Sequence, residues 1–199
     1  MPKKETRKIV LASTSEVRKK LLKNAGLKFE TASPLFDEES VKISDPKELV
    51  QTLALGKAKS IASKHQRSII IGSDTVVSFN NQILGKPRTE NRAYEMLGMM
   101  QGNWNIGYTG LAIIDTTTGK EWVGIGETKV KIRKLTDEEI WGYIKSGEPL
   151  NKAGAYSEAR GSMIIEKMEG DIFAVQGLPL QLLAKTLLSE FDYKYWLCH

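Results

Sequence analysis

The chain predicts an α/β fold: a mixed, twisted sheet flanked by helices. Three observations predict it. Short apolar runs alternate with helix-period segments, each opened by a residue suited to capping. Two apolar segments flank Asn80-Asn81, a hairpin signature because Asn tolerates positive φ in a tight turn. A strand-patterned stretch from Trp104 to Arg133 is interrupted only by the polar turn Thr116 to Lys120.

Taken in order, Lys8 to Ala12 is a short buried strand. Ser13-Thr14-Ser15-Glu16 has the spacing of a capping box with Ser13 as N-cap, and Val17, Leu21, Leu22 and Ala25 share one face of the helix it opens. Gly26 ends that helix. Phe29 to Ala32 reads as a second strand and Pro34 to Ser44 as a loop with an acidic patch. Asp45-Pro46-Lys47-Glu48 starts the next helix, with Asp as cap and Pro in the first turn. The apolar run Ile69-Ile70-Ile71 leads into the hairpin, Thr89 caps a third helix, and Thr136 to Glu139 is a second capping box. A small-residue loop from Glu148 to Gly161, a strand at Met163 to Ile165 and a helix from Pro179 to Glu190 complete the chain.

The 199 residues suit a single domain, 1–199, with residues 1–7 expected as a basic flexible tail. Lys and Arg total 29 against 24 acidic residues, a net charge of +5 that suits polyanionic ligands. The basic residues are dispersed, which argues against a nucleic-acid face. One cysteine, Cys198, excludes an intrachain disulfide, and two histidines are too few for a zinc site. No apolar run approaches a membrane span and no signal-peptide pattern precedes the first strand, so a cytoplasmic protein without membrane contact is expected.

Five constellations carry chemistry. At Leu11 to Arg18 a strand runs into a capped helix, and free N–H groups at a helix N-terminus make an anion site to which Arg18 can add a bidentate contact. The same residues equally suit simple capping, with Arg18 solvated. In the acidic loop Asp37-Glu38-Glu39, a carboxylate turned inward can hold Mg²⁺ together with waters, although such runs are usually solvated. Lys57 lies one turn beyond Leu53, near the apolar stripe of its helix. Gly72-Ser73-Asp74-Thr75, followed by Gly85-Lys86-Pro87, sets one carboxylate after a buried strand and lets the hairpin return a lysine toward it. A carboxylate that holds a metal or orients water, beside a fixed cation, suits chemistry on a phosphate ester. The small-residue loop around Tyr156 suits close approach to a planar ligand.

Seven motifs in register, Leu-Ala-Ser-Thr-Ser-x-x-Arg (11–18), Lys57, Gly-Ser-Asp-Thr-Val (72–76), Gly-Lys-Pro (85–87), Tyr-Thr-Gly (108–110), Lys-Ala-Gly-Ala-Tyr (152–156) and Gly-Leu-Pro-Leu (177–180), resemble the Maf family of nucleoside triphosphate pyrophosphatases, also called septum formation inhibitor-like proteins. The resemblance runs from about residue 8 to about residue 190. It implies an elongated sheet with two lobes and a cleft, similar to the inosine triphosphate pyrophosphatase fold, and often a homodimer. It implies hydrolysis of a nucleoside triphosphate to the monophosphate and pyrophosphate with Mg²⁺ or Mn²⁺. By position, Asp74 matches the proton acceptor and shares the metal with Glu38; Lys57 and Lys86 match its cationic partners; Ser13, Ser15 and Arg18 match the phosphate-binding turn.

Departures bear on the base. The usual Ser-Pro-Arg-Arg is here Ser15-Glu16-Val17-Arg18, so Val17 replaces an arginine at a position tied to specificity. Thr75 resembles the branch acting on dTTP and UTP. Leu-Ala-Ser-Thr-Ser and Glu158 resemble the branch acting on 7-methyl-GTP, and Tyr156 is a candidate wall for the base. A pyrimidine triphosphate is favoured. The alternative from another class is a non-catalytic regulator of division that binds nucleic acid or a protein partner.

Overall fold

The computed structural model describes residues 7–157 and 159–195. Strand β1 (Lys8–Ala12) lies between β2 (Glu30–Ala32) and β3 (Ser68–Phe79), parallel to both. The antiparallel strands are β4 (Gln82–Leu84), β5 (Trp104–Asp115), β6 (Glu121–Ile132) and β7 (Ile165–Gly170). The sheet order is β2-β1-β3-β5-β6-β7, with β4 also on β3. Asn80 and Asn81 turn the β3–β4 hairpin with φ of 50° and 61°, the conformation a two-residue hairpin loop demands.

Helices α1 (Glu16–Asn24), α2 (Pro46–Ala62), α3 (Glu90–Met100), α4 (Asp137–Ile144), α5 (Ile172–Val175) and α6 (Leu180–Phe191) cover the sheet. Asp45, Thr89 and Thr136 cap their helices as expected. The first helix departs from expectation: its N-cap is Ser15, whose Oγ accepts the Arg18 N–H, not Ser13. Ser13 is buried at the end of β1, and its Oγ instead accepts the Ser15 N–H at 3.1 Å. The chain needs the turn Ser13-Thr14 before it can wind, and Glu16 pairs with Lys19 rather than closing a box. The last strand also differs. Residues 160–163 form a 3₁₀ turn with Met163 exposed, and pairing begins at Ile165 opposite Ile132. As a largely exposed edge strand, β7 lacks the apolar run that would mark it.

The core falls into two halves along one sheet. In the first, Ile9, Leu11, Ile69 and Ile71 pack against Leu22 of α1 and Leu187 of α6, while Val10 and Ile70 on the reverse face meet Ala54, Ala58 and Ile61 of α2. In the second, Val77, Val130 and Ile132 meet Leu97 and Met100 of α3 and Ile140 and Ile144 of α4. Arg7, expected within the tail, donates to Asp115 at 2.7 Å and to the Phe191 carbonyl at 2.6 Å; residues 1–6 lie outside the described residues. Among the described residues no helix is long and apolar enough to cross a membrane.

Two glycines set how closely α2 approaches. A Cβ on Gly72 of β3 would lie 2.2 Å from the Ala54 carbonyl oxygen, and one on Gly110 of β5 would lie 2.0 Å from that of Val50. Both neighbours are helix backbone, so no side-chain rotation relieves the overlap.

The edge of β3 is left open in the middle. β5 pairs with one side of β3 from Ile69 to Ser78. On the other side β1 stops at Gly72 and β4 starts at Val77, so Ser73 to Val76 have no strand neighbour there. A ligand cleft at the carboxyl end of parallel strands follows from such an interruption. Residues 151–157 form its far wall. The Gly154 N–H donates to the Gly85 carbonyl, the Tyr156 hydroxyl donates to Asn105 Oδ1 at 2.7 Å, and the Ser157 N–H donates to the Tyr143 hydroxyl.

Gly110→Ala is expected to lower stability by about 1–3 kcal/mol through overpacking, whereas Gly142→Ala, whose Cβ meets nothing within 4 Å, should be neutral or stabilising by up to about 1 kcal/mol. Urea midpoints of the two variants check this. A second expectation concerns alkali. Burial, reinforced by the Glu148 carboxylate, pushes the Tyr143 phenol up to about 12, and burial also raises Tyr156. In the unfolded chain both ionise near the ordinary value of 10.0. Their contribution to stability is therefore intact below about pH 10 and lost as pH rises toward about 12. Urea midpoints recorded across that range should fall less steeply for Tyr143→Phe than for the parent protein.

Candidate active site

The open edge of β3 is the floor of a cleft of about 480 Å³. Its lining includes Ser13, Ser15, Val17 and Arg18 from the β1–α1 junction, Glu38, Lys57 of α2, Asp74 and Thr75 of β3, Lys86 after β4, Lys152 and Tyr156 of the far wall, and Gln176 and Gly177 after α5. Apart from Glu158, which lies outside the described residues, every residue singled out from the sequence meets here.

Side chains alternate along β3, so Asp74 points toward α2 and Thr75 toward α1 and α6. Lys57 sits above Asp74, and its ammonium donates to Asp74 Oδ1 at 2.5 Å. Glu38, in the short 3₁₀ turn Glu38–Ser40, reaches the same ammonium through Oε2 at 3.0 Å. Lys57 and Asp74 are both buried while Glu38 is half-exposed, so one cation joins two carboxylates across the depth of the cleft. A buried ion pair of this kind contributes little to stability, but removing one partner leaves an uncompensated charge. Asp74 Oδ2 has no hydrogen-bond partner among the described residues and remains open to the cleft.

On the opposite face of the strand, Arg18 Nε donates to the Gly177 carbonyl at 2.7 Å and Nη2 lies 3.4 Å from Thr75 Oγ1. Gly177 has a φ of 106°, a conformation that L side chains rarely adopt, and its carbonyl also accepts from the buried Ser73 hydroxyl at 2.8 Å. Burial weakens the hold of the guanidinium on its proton, and the Asp74 and Glu38 carboxylates oppose that effect; a guanidinium stays charged throughout. Thr75 Oγ1 also shares a hydrogen bond with Thr109 Oγ1, so its hydroxyl serves the protein rather than standing free. Lys86 and Lys152 line the cleft with no carboxylate partner among the described residues. Arg18, Lys57, Lys86 and Lys152 set against Glu38 and Asp74 give four cations to two anions, an excess of two positive charges.

Among the lining residues that the sequence did not single out as site residues are Lys152 and Gln176. Lys152 lay within a recognised motif and was readable as a cation. Gln176 carried no signal, since a lone Gln at the end of a short helix is ordinary.

Among the described residues no three His, Cys, Asp or Glu side chains cluster as a metal cage. The donor set still fits a hard divalent cation bound by substrate phosphates and water, with Asp74 Oδ2 and Glu38 Oε1 as the carboxylate oxygens that Lys57 leaves free.

Comparison with known proteins agrees with this geometry. The chain is 44% identical over 189 residues, 94% of its length, to a dTTP/UTP pyrophosphatase of Thermoanaerobacter sp. (strain X514), and covers 98% of that protein. It is 42% identical over 175 residues to a dTTP/UTP pyrophosphatase of Geobacillus sp. (strain WCH70), covering 87% of this chain and 93% of the relative. The corresponding protein of Dictyoglomus thermophilum is 39% identical over 189 residues, with coverages of 94% and 97%. The Maf model, described as Maf-like protein, matches residues 8–190, and the chain belongs to that family.

Proposed function

We propose that the protein hydrolyses dTTP and UTP to the monophosphate and pyrophosphate, with the reaction centred on Asp74. The observation that carries this reading is the division of labour at that carboxylate: Oδ1 is held by Lys57 and Oδ2 is open to the cleft. Support for the substrate comes from the charge excess of the lining and from relatives named dTTP/UTP pyrophosphatase.

In this reading the triphosphate lies along the open edge of β3. Lys57 fixes the orientation of the Asp74 carboxylate. Oδ2 accepts a proton from a water as the water oxygen bonds to the α-phosphorus. The bond from that phosphorus to the α–β bridging oxygen breaks, and the electron pair leaves with pyrophosphate. Arg18, Lys86, Lys152 and the N–H groups opening α1 meet the charge that develops on the leaving group. Glu38 Oε1, beside Asp74, and the substrate phosphates would hold a Mg²⁺ or Mn²⁺, which would supply further neutralisation of that charge. The substrate belongs to the cytoplasmic nucleotide pool, and that compartment is part of the proposal.

Pyrophosphate release across dTTP, UTP, CTP, GTP and 7-methyl-GTP, with Mg²⁺ and after exhaustive EDTA treatment, tests the reading. The expected result is kcat/KM for dTTP or UTP more than about tenfold above the purine triphosphates, abolished by EDTA and restored by metal. Leading turnover of 7-methyl-GTP would overturn the substrate, and activity unaffected by EDTA would overturn the metal.

Asp74→Asn is expected to fold normally, because Glu38 still pairs with Lys57, and to lose at least about 10²-fold in turnover, the usual scale for a general base. Near-normal turnover in the purified variant would remove Asp74 from the mechanism.

A further inference from the structure

The cleft lining contains two distinct groups. Glu38, Lys57 and Asp74 are linked through one ammonium, whereas Val77, Ala153, Tyr156 and Val175 belong to one apolar cluster. A nucleotide bound with its phosphates at the charges leaves its base against the apolar surfaces. Reading a base then requires polar atoms that are not already committed to the protein.

Most candidates are committed. The Tyr156 hydroxyl donates to Asn105. Ser157 Oγ donates to Glu148 Oε1 at 2.6 Å and accepts from the Ala159 N–H at 3.1 Å. Thr75 Oγ1 is shared between Thr109 and Arg18. The Thr14 hydroxyl and the carboxamides of Asn151 and Gln176 remain, none with a side-chain hydrogen bond among the described residues. Thr14 and Asn151 are exposed, whereas Gln176 is half-buried. The Gln176 backbone is also fixed: its N–H donates to the Ala174 carbonyl as the C-cap of α5, and its neighbour Gly177 is held by Arg18 and Ser73.

We propose that Gln176 is a specificity-determining residue whose carboxamide pairs with the imide edge of a uracil or thymine base. The carboxamide presents one donor group and one acceptor side by side. Uracil and thymine present the N3–H donor beside the O4 acceptor, so Oε1 accepts from N3–H while the Nε2 amide donates to O4. The inference rests on the pyrophosphatase reading and deepens it, naming the residue that reads the base rather than those that handle the phosphates.

The test compares UTP with 3-methyl-UTP, which keeps the triphosphate, the sugar and O4 but lacks the N3–H. The parent enzyme is expected to prefer UTP by about tenfold or more in kcat/KM, because methylation leaves the buried acceptor unpaired. In Gln176→Leu, kcat/KM for UTP should fall by a similar factor and the discrimination against 3-methyl-UTP should nearly vanish. Gln176→Glu, which can accept from N3–H but cannot donate to O4, should retain discrimination against 3-methyl-UTP while losing activity on UTP, and it decides the matter if the leucine variant does not fold. Equal use of UTP and 3-methyl-UTP by the parent enzyme, or discrimination unchanged in Gln176→Leu, would overturn the assignment and leave the pyrophosphatase reading standing. No turnover of UTP or dTTP by the parent enzyme would instead overturn the reading itself.

Discussion

The site depends on how closely α2 lies on the sheet. Gly72 and Gly110 let helix backbone at Ala54 and Val50 approach to where a methyl group would otherwise stand. That approach brings Lys57, one turn after Leu53, down onto Asp74. With a larger residue at either glycine the helix would ride higher, and an ammonium on a four-carbon stem would lose the short contact that fixes the carboxylate. Two residues with no functional group of their own thus set the geometry of the central ion pair. The contact gains its strength from being shielded, since Coulomb interaction grows as effective dielectric falls. It also carries a desolvation cost that packing around Val50, Ala54 and Ala58 must offset.

The second determinant is topological. β3 is twelve residues long, but the strands beside it on one edge are short, and the four unpaired residues between their ends include Asp74 and Thr75. A strand paired on both sides throughout would offer a ligand no backbone edge and no gap. The interruption also lets successive side chains serve different partners. Asp74 faces Lys57 and Glu38, and Thr75 faces Arg18, so one strand organises cations on both of its faces.

Much of this was legible in the residues. The Asn80-Asn81 turn, the caps at Asp45, Thr89 and Thr136, and the return of Lys86 to the cleft that Asp74 lines all follow from local chemistry that tertiary context leaves intact. The inward reach of Lys57 was readable because its helical position fixes its face. Ser13 was misassigned as N-cap because Ser-x-x-Glu spacing cannot say where the strand ends, and Ser13 is buried just past the end of β1. β7 was misplaced because an exposed edge strand need not be apolar. The role of Arg18 was half visible: its approach to the cleft followed from the helix, but its tie to the Gly177 carbonyl spans 159 residues of sequence, and no local pattern reports such a partner.

The continuity of β3 has a mechanical consequence. Ile69 and Ile71 belong to one core and Val77 to the other, with β5 paired alongside through both. Two halves that share their central strands cannot swing about a linker as separate bodies do. Opening that frees the amides bonded between β3 and β5 would have to melt both cores together, which places those amides, unlike the ones on the open edge, among the last to exchange with solvent. Access to the cleft falls instead to segments outside both cores, such as the turn Glu38–Ser40, which buries no residue. The floor of the cleft and the turn at its mouth thereby lie at opposite ends of the molecule's range of local stability.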